Sequence, residues 1–199
     1  RSGRNLYGGA AVTAGGRLRF LALLACMVLL GARDPILVPE ISQHEIQVRQ
    51  GFTGADLLLF GAILSPEGSR AAQEYDIVVV LEGPVQSIVL REKQKLAGIW
   101  INADSLEFRS APSYFAVASS RPIARIVDDK TAAIYELGLD SLQLSPTSSA
   151  SSDVQDRFTR GLVDLRTRNG LYSEAPRAVE ITDGVLYRAR MKIPARVPV

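Results

Sequence analysis

Cysteine and histidine are almost absent from this sequence, which has one of each among its 199 residues. A structural zinc site takes four cysteine or histidine ligands, so this composition excludes one. No calcium loop of the D-x-[DN]-x-[DN]-G type occurs either. Cys26 has no second cysteine with which to form a disulfide, so an exported domain of this sequence depends on packing alone. We expect no bound metal ion and no cofactor.

Motifs for catalysis and nucleotide binding are also missing. His44 is the one conventional general base, and the sequence has no G-x-S-x-G nucleophile turn to accompany it. Neither G-x-G-x-x-G nor G-x-x-x-x-G-K-[ST] occurs, so no motif supports nucleotide binding. We therefore expect a protein that is not an enzyme, with His44 at the surface or at a strand edge.

Acidic residues are missing from the first 32 residues, which hold four of the 23 basic ones. Arg17 and Arg19 precede the apolar run FLALLACMVLLGA at residues 20–32. This layout is typical of a secretory signal peptide, and the run is shorter than the roughly 20 apolar residues of a membrane-spanning helix. We predict an N-terminal extension and signal peptide at 1–32 and an extracytoplasmic domain at 33–199. An uncleaved anchor and a buried core helix are the alternatives.

The rest of the chain has fewer basic than acidic residues, although the net charge of the whole is +2. A nucleic-acid-binding protein needs a basic face for phosphates, so we expect no nucleic-acid partner. With 47% hydrophobic and 22% charged residues, the composition is that of one ordinary globular domain.

Short apolar or alternating segments separated by turns dominate the chain after residue 33. HEIQVRQ (44–50) alternates as a half-buried strand does, and ADLLLFGAIL (55–64) is apolar enough for a central strand. YDIVVVLEGP (75–84) ends at a Gly-Pro pair, where we predict a turn into a returning strand at QSIVLRE (86–92). Further strands are predicted at LAGIWIN, SLEFR and SYFAVAS.

A helical insert is predicted at about residues 123–170. DDKTAAIYELG begins with two acidic residues and ends at a glycine, as helices do. A second helix follows the linker SPTSSASS, from Ser152 or Asp153 through Asn169. Its apolar stripe should pack against the sheets rather than form a groove for a partner. The stripe consists of Val154, Phe158, Leu162 and Leu165.

The closing segments RAVEIT and VLYRARMKI flank Asp183-Gly184, a strong hairpin signal. Several short strands at regular spacing, with one helical insert, predict a mainly β fold. The pattern favours an immunoglobulin-like antiparallel β-sandwich with a helical insertion. An α+β arrangement is the alternative.

Trp100 is the only tryptophan, and it lies in LAGIWIN, which is apolar on both faces if it alternates as one strand. We interpret this segment as a central strand in which Trp100 packs inside the sheet. Stacking on a ligand is the alternative.

Two groups of charged residues have structural interpretations. Asp128 and Asp129 stand at a predicted helix start, where carboxylates stabilise the helix dipole. Arg91, Lys93 and Lys95 alternate on one face of a strand, and we interpret them as a solvated edge protected from aggregation. Contact with an anion is the alternative.

Several segments in order carry a resemblance to a known family. They are FTGADLLLFGAI (52–63), DIVVVLEGP (76–84), AGIWIN (97–102), PSYFAVASSRP (112–122) and the closing VLYRARMKIPARVPV. Together they resemble the alphaproteobacterial putative transmembrane protein family over about residues 41–199. Five long segments in order are far more specific than one short motif.

The resemblance implies a signal peptide, a periplasmic domain and a C-terminal helix that anchors the protein in the inner membrane. This sequence ends before such a helix, so we expect it to be truncated at its C-terminus. Glu82 stands where a basic residue is expected before Gly-Pro, which weakens an anion-binding role for that turn. The family has no established activity, so no catalytic residue carries over.

The leading hypothesis is a membrane-anchored periplasmic accessory domain that binds a membrane protein such as a permease. The alternative is a periplasmic small-ligand-binding protein or hydrolase with a pocket between the sheet edge and the helical insert. The lining of that pocket would be Phe52, Thr53, Trp100, Asn102, Tyr114 and Arg121. A purely structural envelope protein is the third hypothesis.

Overall fold

The described part of the chain is mainly β, with three sheets and two α-helices. The computed structural model describes residues 35–47, 49–64, 75–147 and 150–197, so the predicted signal peptide lies outside the described residues. The strands are β1 (Ile36–Ile41), β2 (Gly54–Leu64), β3 (Val78–Glu82), β4 (Val85–Leu96), β5 (Ile99–Pro112), β6 (Phe115–Ser119), β7 (Ser145–Pro146), β8 (Tyr172–Pro176), β9 (Val179–Thr182) and β10 (Leu186–Pro194). The helices are α1 (Asp129–Ile134) and α2 (Ser152–Arg168), with 3-10 turns at Ile123–Arg125 and Leu139–Ser141.

Sheet A has the strand order β1-β2-β10-β9, and all its pairs are antiparallel. The apolar segment ADLLLFGAIL lies in β2, which has a neighbour on each side, so its central position is confirmed. The predicted β9–β10 hairpin is also confirmed. Asp183 and Gly184 both have positive φ, 54° and 65°, as a tight reversal between twisted strands requires.

The edge of sheet A differs from the sequence prediction. HEIQVRQ was predicted as a strand, but its residues 44–47 form none. The edge strand is instead β1, which contains Pro39 and pairs only with β2. Proline donates no hydrogen bond to a ladder, so an edge is where a strand tolerates it. Ile41 and Leu59 form the pair nearest the reversal of the chain between β1 and β2.

One long antiparallel ribbon joins the other two sheets. Its first part, β3 with β6, belongs to sheet B, and its second part, β4 with β5, belongs to sheet C. At the junction, the Gly83 N–H donates to the Tyr114 carbonyl at 2.8 Å, and the Ser113 N–H donates to the Pro84 carbonyl at 2.9 Å. Pairing therefore continues through the Gly-Pro pair, and the turn predicted there is wrong. The pair is a bend.

The bend needs glycine because the facing backbone is close. A Cβ on Gly83 would lie 2.6 Å from Ser113 Oγ and 3.1 Å from Tyr114 Cβ. The ribbon reverses farther on, at Ala97 and Gly98, whose φ angles are 49° and 87°. LAGIWIN is therefore not one strand, because its second and third residues form the turn.

Sheets B and C each gain a third strand from the second half of the chain. β8 pairs with β6 in parallel and completes sheet B, in the order β3-β6-β8. A parallel pair needs a long crossover, and the helical insert between β6 and β8 supplies it. The two-residue β7, at the start of the predicted serine-rich linker, pairs with β5 and completes sheet C.

Both predicted helices are present. The boundaries of α2 match the expected ones, whereas α1 ends at Ile134, well before the glycine at 138 where the predicted helix ends. Asp128 caps α1, and its carboxylate accepts from the Thr131 N–H at 3.1 Å, as the interpretation of the acidic pair requires. In α2 the predicted packing stripe is confirmed at Phe158 and Leu162, which are buried in one cluster with sheet C residues. Leu165, at the end of the stripe, is exposed.

Sheet B lies at the centre of the packing. Ala116 and Ala118 on one face contact sheet A, where Tyr187 and Met191 belong to the same buried cluster. On the other face, Phe115 joins a second cluster formed with the helical insert. A third cluster joins sheet C to α2. Each cluster is small, so packing is spread over three interfaces.

Candidate interaction surfaces

The six residues predicted to line a pocket lie in different parts of the fold. Thr53, just before β2, lines a cleft of about 490 Å³ whose wall also includes Asp56 and Lys192. Phe52, the residue before Thr53 in the sequence, is half-buried. Tyr114 is buried at the bend of the ribbon, and its hydroxyl donates to the Lys192 carbonyl at 2.8 Å. Lys192 of β10 therefore links the two, because it lines the cleft with Thr53 and accepts the hydrogen bond from Tyr114.

Arg121 belongs to a separate cluster at the end of β6. Its Nε donates to Asp76 Oδ1 at 2.8 Å, its Nη2 pairs with Asp76 Oδ2, and the Ser120 hydroxyl donates to the same carboxylate at 2.8 Å. The Arg121 hydrogen bond, followed by that of Ser120, holds the pKa of Asp76 below its usual value, although partial burial opposes this. The cluster joins the chain before β3 to the chain after β6, which is a structural function.

Trp100 and Asn102 lie far along the ribbon from the bend, next to the turn that joins β4 and β5. The prediction that Trp100 packs inside a central strand is wrong, because its side chain is 65% exposed. The third strand of sheet C, β7, pairs with β5 at Phe108 and Ser110, well away from Trp100. That these six residues bind a ligand together stays a prediction. Thr53 lines the cleft beside β2, and none of the six lines either of the two clefts that follow.

Two further clefts border the helices. One, of about 350 Å³, lies between β4 and α2, where its walls include Leu90, Arg157 and Phe158. The other, of about 220 Å³, lies within the helical insert beside Asp129 and Glu174. In the described segments no three histidine, cysteine or acidic side chains are grouped so that they could hold a metal ion. His44 is exposed as predicted, with Nε2 3.2 Å from Glu40 Oε1.

The outer face of sheet A carries exposed apolar side chains. Alternation and register place them on adjacent strands: Ile36 lies opposite Leu64, and Leu186 lies opposite Ala62. We call this group the sheet A patch. It consists of Ile36, Val38, Phe60, Leu64 and Leu186, each of which is at least 40% exposed. Charged residues border it, including Arg188, which is paired with Glu180 at 2.5 Å. Apolar patches with a polar rim on a folded surface are typical of protein interfaces.

The far end of the β4–β5 hairpin is a second exposed surface. We call residues 93–103 the tip, and every one of them is exposed. Its cross-strand pairs put Lys93, Lys95, Trp100 and Asn102 on one face. The opposite face carries Gln94, Leu96, Ile99 and Ile101. The tip therefore projects from the body with apolar side chains on both faces.

The base of the hairpin is fixed to α2 where the tip begins. Arg157 of α2 contacts Asp104 at 2.9 Å and Glu92 at 3.2 Å. These two acidic residues lie opposite each other, and the next pair is Lys93 with Asn102, so Ala103 is a bulge. Below the bulge the ribbon packs on α2, and above it the ribbon is uncovered.

Sequence patterns missed both surfaces for identifiable reasons. The strand β1 was not predicted, because a proline interrupts its short apolar run. The tip was misread because its two strands and turn form one apolar segment. One signal was available: Lys93 and Lys95 alternate up to that segment, which indicates a solvated strand rather than a buried one.

The geometry of the described residues defines a mainly β protein with two exposed apolar surfaces. The chain belongs to the family described as Putative transmembrane protein (Alph_Pro_TM), whose model matches residues 36–199. The resemblance seen in the sequence is thereby confirmed. Neither a curated protein nor a solved structure matches the chain. Of the helices in the described ranges, none is long and apolar enough to cross a membrane.

Proposed function

We propose that this protein is a non-enzymatic periplasmic domain, anchored to the inner membrane, that binds a neighbouring membrane protein such as a permease. The observation that carries the proposal is the sheet A patch. Its five bulky apolar side chains lie together on ordered strands, where exposure to water is unfavourable unless a partner covers them. Membership of a family described as transmembrane supports the location.

The composition of the patch fits a protein partner. Its centre is aliphatic and aromatic, and Glu40 and Arg188 lie at its border, opposite Phe60 on the two neighbouring strands. An apolar centre with a charged rim is the usual arrangement in interfaces between proteins. We expect the facing surface of the partner to be apolar at its centre too.

The immunoglobulin-like sandwich remains our proposal for the finer fold class. Sheet A packs on sheet B through one buried cluster, as the two layers of a sandwich do. The helical insert covers the other face of sheet B. Sandwich domains of this kind are common binding modules, and this supports a binding function by analogy of fold alone.

Site-specific photo-crosslinking in native membranes tests the proposal. A photoreactive phenylalanine analogue replaces Phe60 in the patch and, as a matched control, Tyr135 just after α1, which is also exposed. We expect one membrane protein to be crosslinked from position 60 and not from position 135. Val38→Lys should abolish the crosslink, because it puts a charge into the apolar centre. Identical products from both positions, or none from position 60, would contradict the proposal.

A small-ligand function is the second candidate, and the cleft beside Thr53 favours it. The cleft combines a hydroxyl, a carboxylate and an ammonium group within about 490 Å³, which is within the usual size range of ligand sites. Native mass spectrometry of the protein isolated from its own membranes would detect a retained ligand. Loss of that ligand in Thr53→Val would support this candidate, and an empty wild-type protein would exclude it.

A further inference from the structure

The tip of the β4–β5 hairpin combines an apolar end with positive charge. The pair nearest the turn is Leu96 with Ile99, followed by Lys95 with Trp100, Gln94 with Ile101 and Lys93 with Asn102. No acidic residue occurs anywhere in residues 93–103. The first acidic side chains, Glu92 and Asp104, belong to the base of the hairpin. The tip is therefore apolar at its end, and behind that end it carries two lysines beside Trp100 and Ile101.

The acidic side chains at the base are held by a cation. Arg157 contacts both Glu92 and Asp104, at 3.2 and 2.9 Å. Arg157 therefore offsets about half of their negative charge, and this reduces their effect on the attraction of Lys93 and Lys95 for an anionic surface. Because Arg157 belongs to α2, the contact also fixes the direction of the hairpin relative to the domain.

Both faces of the tip carry apolar side chains, and this distinguishes between two kinds of partner. Trp100 lies on the face that carries the lysines, and Ile99 and Ile101 lie on the opposite face. A protein surface would cover one face and leave the other in water. A lipid layer surrounds an inserted hairpin and covers both. The pairing of β4 with β5 satisfies about half of the tip's backbone groups internally. The outward N–H and C=O groups need water or headgroup partners, which the interfacial region supplies and the hydrocarbon core does not.

We propose that this tip inserts into the interfacial region of an anionic lipid bilayer. Leu96, Ile99, Trp100 and Ile101 enter the boundary between headgroups and acyl chains, where tryptophan is favoured. Lys93 and Lys95 bind lipid phosphates through their ammonium groups. The inference rests on the proposed membrane anchor, because the anchor keeps the tip close to a bilayer.

The dimensions of the tip suit this depth. Four strand residues lie between the bulge and the turn, and at about 3.3 Å each they span roughly 13 Å. An interfacial segment buries its apolar part about 5–10 Å into the boundary. The apolar residues can therefore enter the layer while the long lysine side chains keep their ammonium groups at the level of the phosphates.

The single tryptophan makes the test specific, because all tryptophan emission of the chain comes from Trp100. The full chain is mixed with vesicles of phosphatidylethanolamine and phosphatidylglycerol. We expect the emission to shift to shorter wavelength and to be quenched by brominated lipids. Vesicles of phosphatidylcholine alone should give a much weaker response. Membrane binding by residues 20–32 cannot imitate this signal, because that segment has no tryptophan.

Two variants keep the tryptophan and remove one feature each. Ile99→Ser with Ile101→Ser should raise the lipid concentration for the half-maximal shift at least about tenfold, because less apolar area is buried. Lys93→Gln with Lys95→Gln should raise it about 25-fold for anionic vesicles, since each lysine near a charged surface contributes about fivefold. Val89→Ser is the control, because Val89 is exposed on the same strand below the bulge and should have no effect.

The proposal is overturned if Trp100 emission does not change with anionic vesicles, or if the lysine variant responds as the wild type does. A shift seen only with membranes that contain native proteins would also overturn it, in favour of a protein partner. The two proposals fail separately. Loss of the crosslink at position 60 with a retained Trp100 shift removes only the partner, whereas a retained crosslink without a shift removes only the lipid contact.

Discussion

The two ends of the bent ribbon both carry apolar side chains on two faces, but their surroundings are opposite. All five residues of β6 are buried, since Phe115 and Val117 face the helical insert while Ala116 and Ala118 face sheet A. All residues of the tip are exposed, although it also carries apolar side chains on both faces. An apolar sequence therefore does not by itself produce a buried strand. Burial depends on whether other elements are positioned to cover both faces.

The largest expected effect is at the buried end. Phe115→Ala should lower the free energy of unfolding by about 3–5 kcal/mol, because it leaves a cavity between sheet B and the helical insert. The Phe115 ring is fully buried and contacts Tyr172 edge to face, with ring centroids 6.1 Å apart. Urea denaturation of the domain measures the change. A loss below about 1 kcal/mol would show that sheet B is not the centre of the packing.

The bend between the two ends gives the next largest effect. Gly83→Ala should destabilise the domain by about 1–3 kcal/mol, because the new methyl group overlaps Ser113 and the backbone of Tyr114. The same denaturation measurement applies.

Gly161→Ala is the matched control for that change. Gly161 lies inside α2, where a Cβ would meet only Leu90 Cδ2, at an ordinary contact distance of 3.7 Å. Alanine is a better helix former than glycine, so this variant should gain about 0.5–1 kcal/mol. Equal effects of the two substitutions would contradict the close approach at the bend.

A smaller effect is expected from the tyrosine that supports the bend. The Tyr172 hydroxyl donates to the Pro112 carbonyl at 2.8 Å, so Tyr172→Phe should cost about 1 kcal/mol. Burial raises the pKa of Tyr172 to about 12. Because the fold favours the neutral phenol, this stabilisation is complete below pH 10 and is lost as the pH rises from about 10 to about 12.

Thermal unfolding measured across that pH range tests the interpretation. Tyr172→Phe should lose less stability between pH 10 and 12 than the wild type does. Some decline should remain in the variant, because burial also raises the pKa values of Tyr114 and Tyr187. A pH dependence identical to that of the wild type would show that Tyr172 ionises as easily in the folded state as in the unfolded one.

The smallest effect is expected at the exposed end. Ile99→Ser with Ile101→Ser should change the free energy of unfolding by less than about 0.5 kcal/mol, because neither side chain contributes to a core. Circular dichroism during urea denaturation would measure it. A larger loss would mean that the tip packs against something in the folded domain, and the contrast between the two ends would disappear.

Much of the secondary structure could be predicted from the sequence, where local chemistry decides it. Asp128 caps α1, Gly170 follows α2 with a φ of 72°, and Asp183-Gly184 forms a hairpin. Each of these depends on residues close together in sequence. The strand predicted at residues 44–50 was wrong because the edge partner of β2 is β1, which lies upstream. A local pattern does not show which segment will pair with a distant strand.

The candidate surfaces were less predictable than the elements. Trp100 was expected in a core, because its segment is apolar in both alternating registers. The structure shows that the segment contains a turn and that nothing covers it. The sheet A patch depends on three strands that come from distant parts of the chain. No local pattern brings Ile36, Leu64 and Leu186 together.

The sequence by itself determined the mainly β character, the two helices and the family, because composition and local patterns specify these properties. Only the tertiary structure decided which apolar segments are buried. Hydrophobic burial depends on the area removed from water, and that area depends on which other elements pack nearby. The ribbon therefore becomes a core at β6 and an exposed surface at the tip.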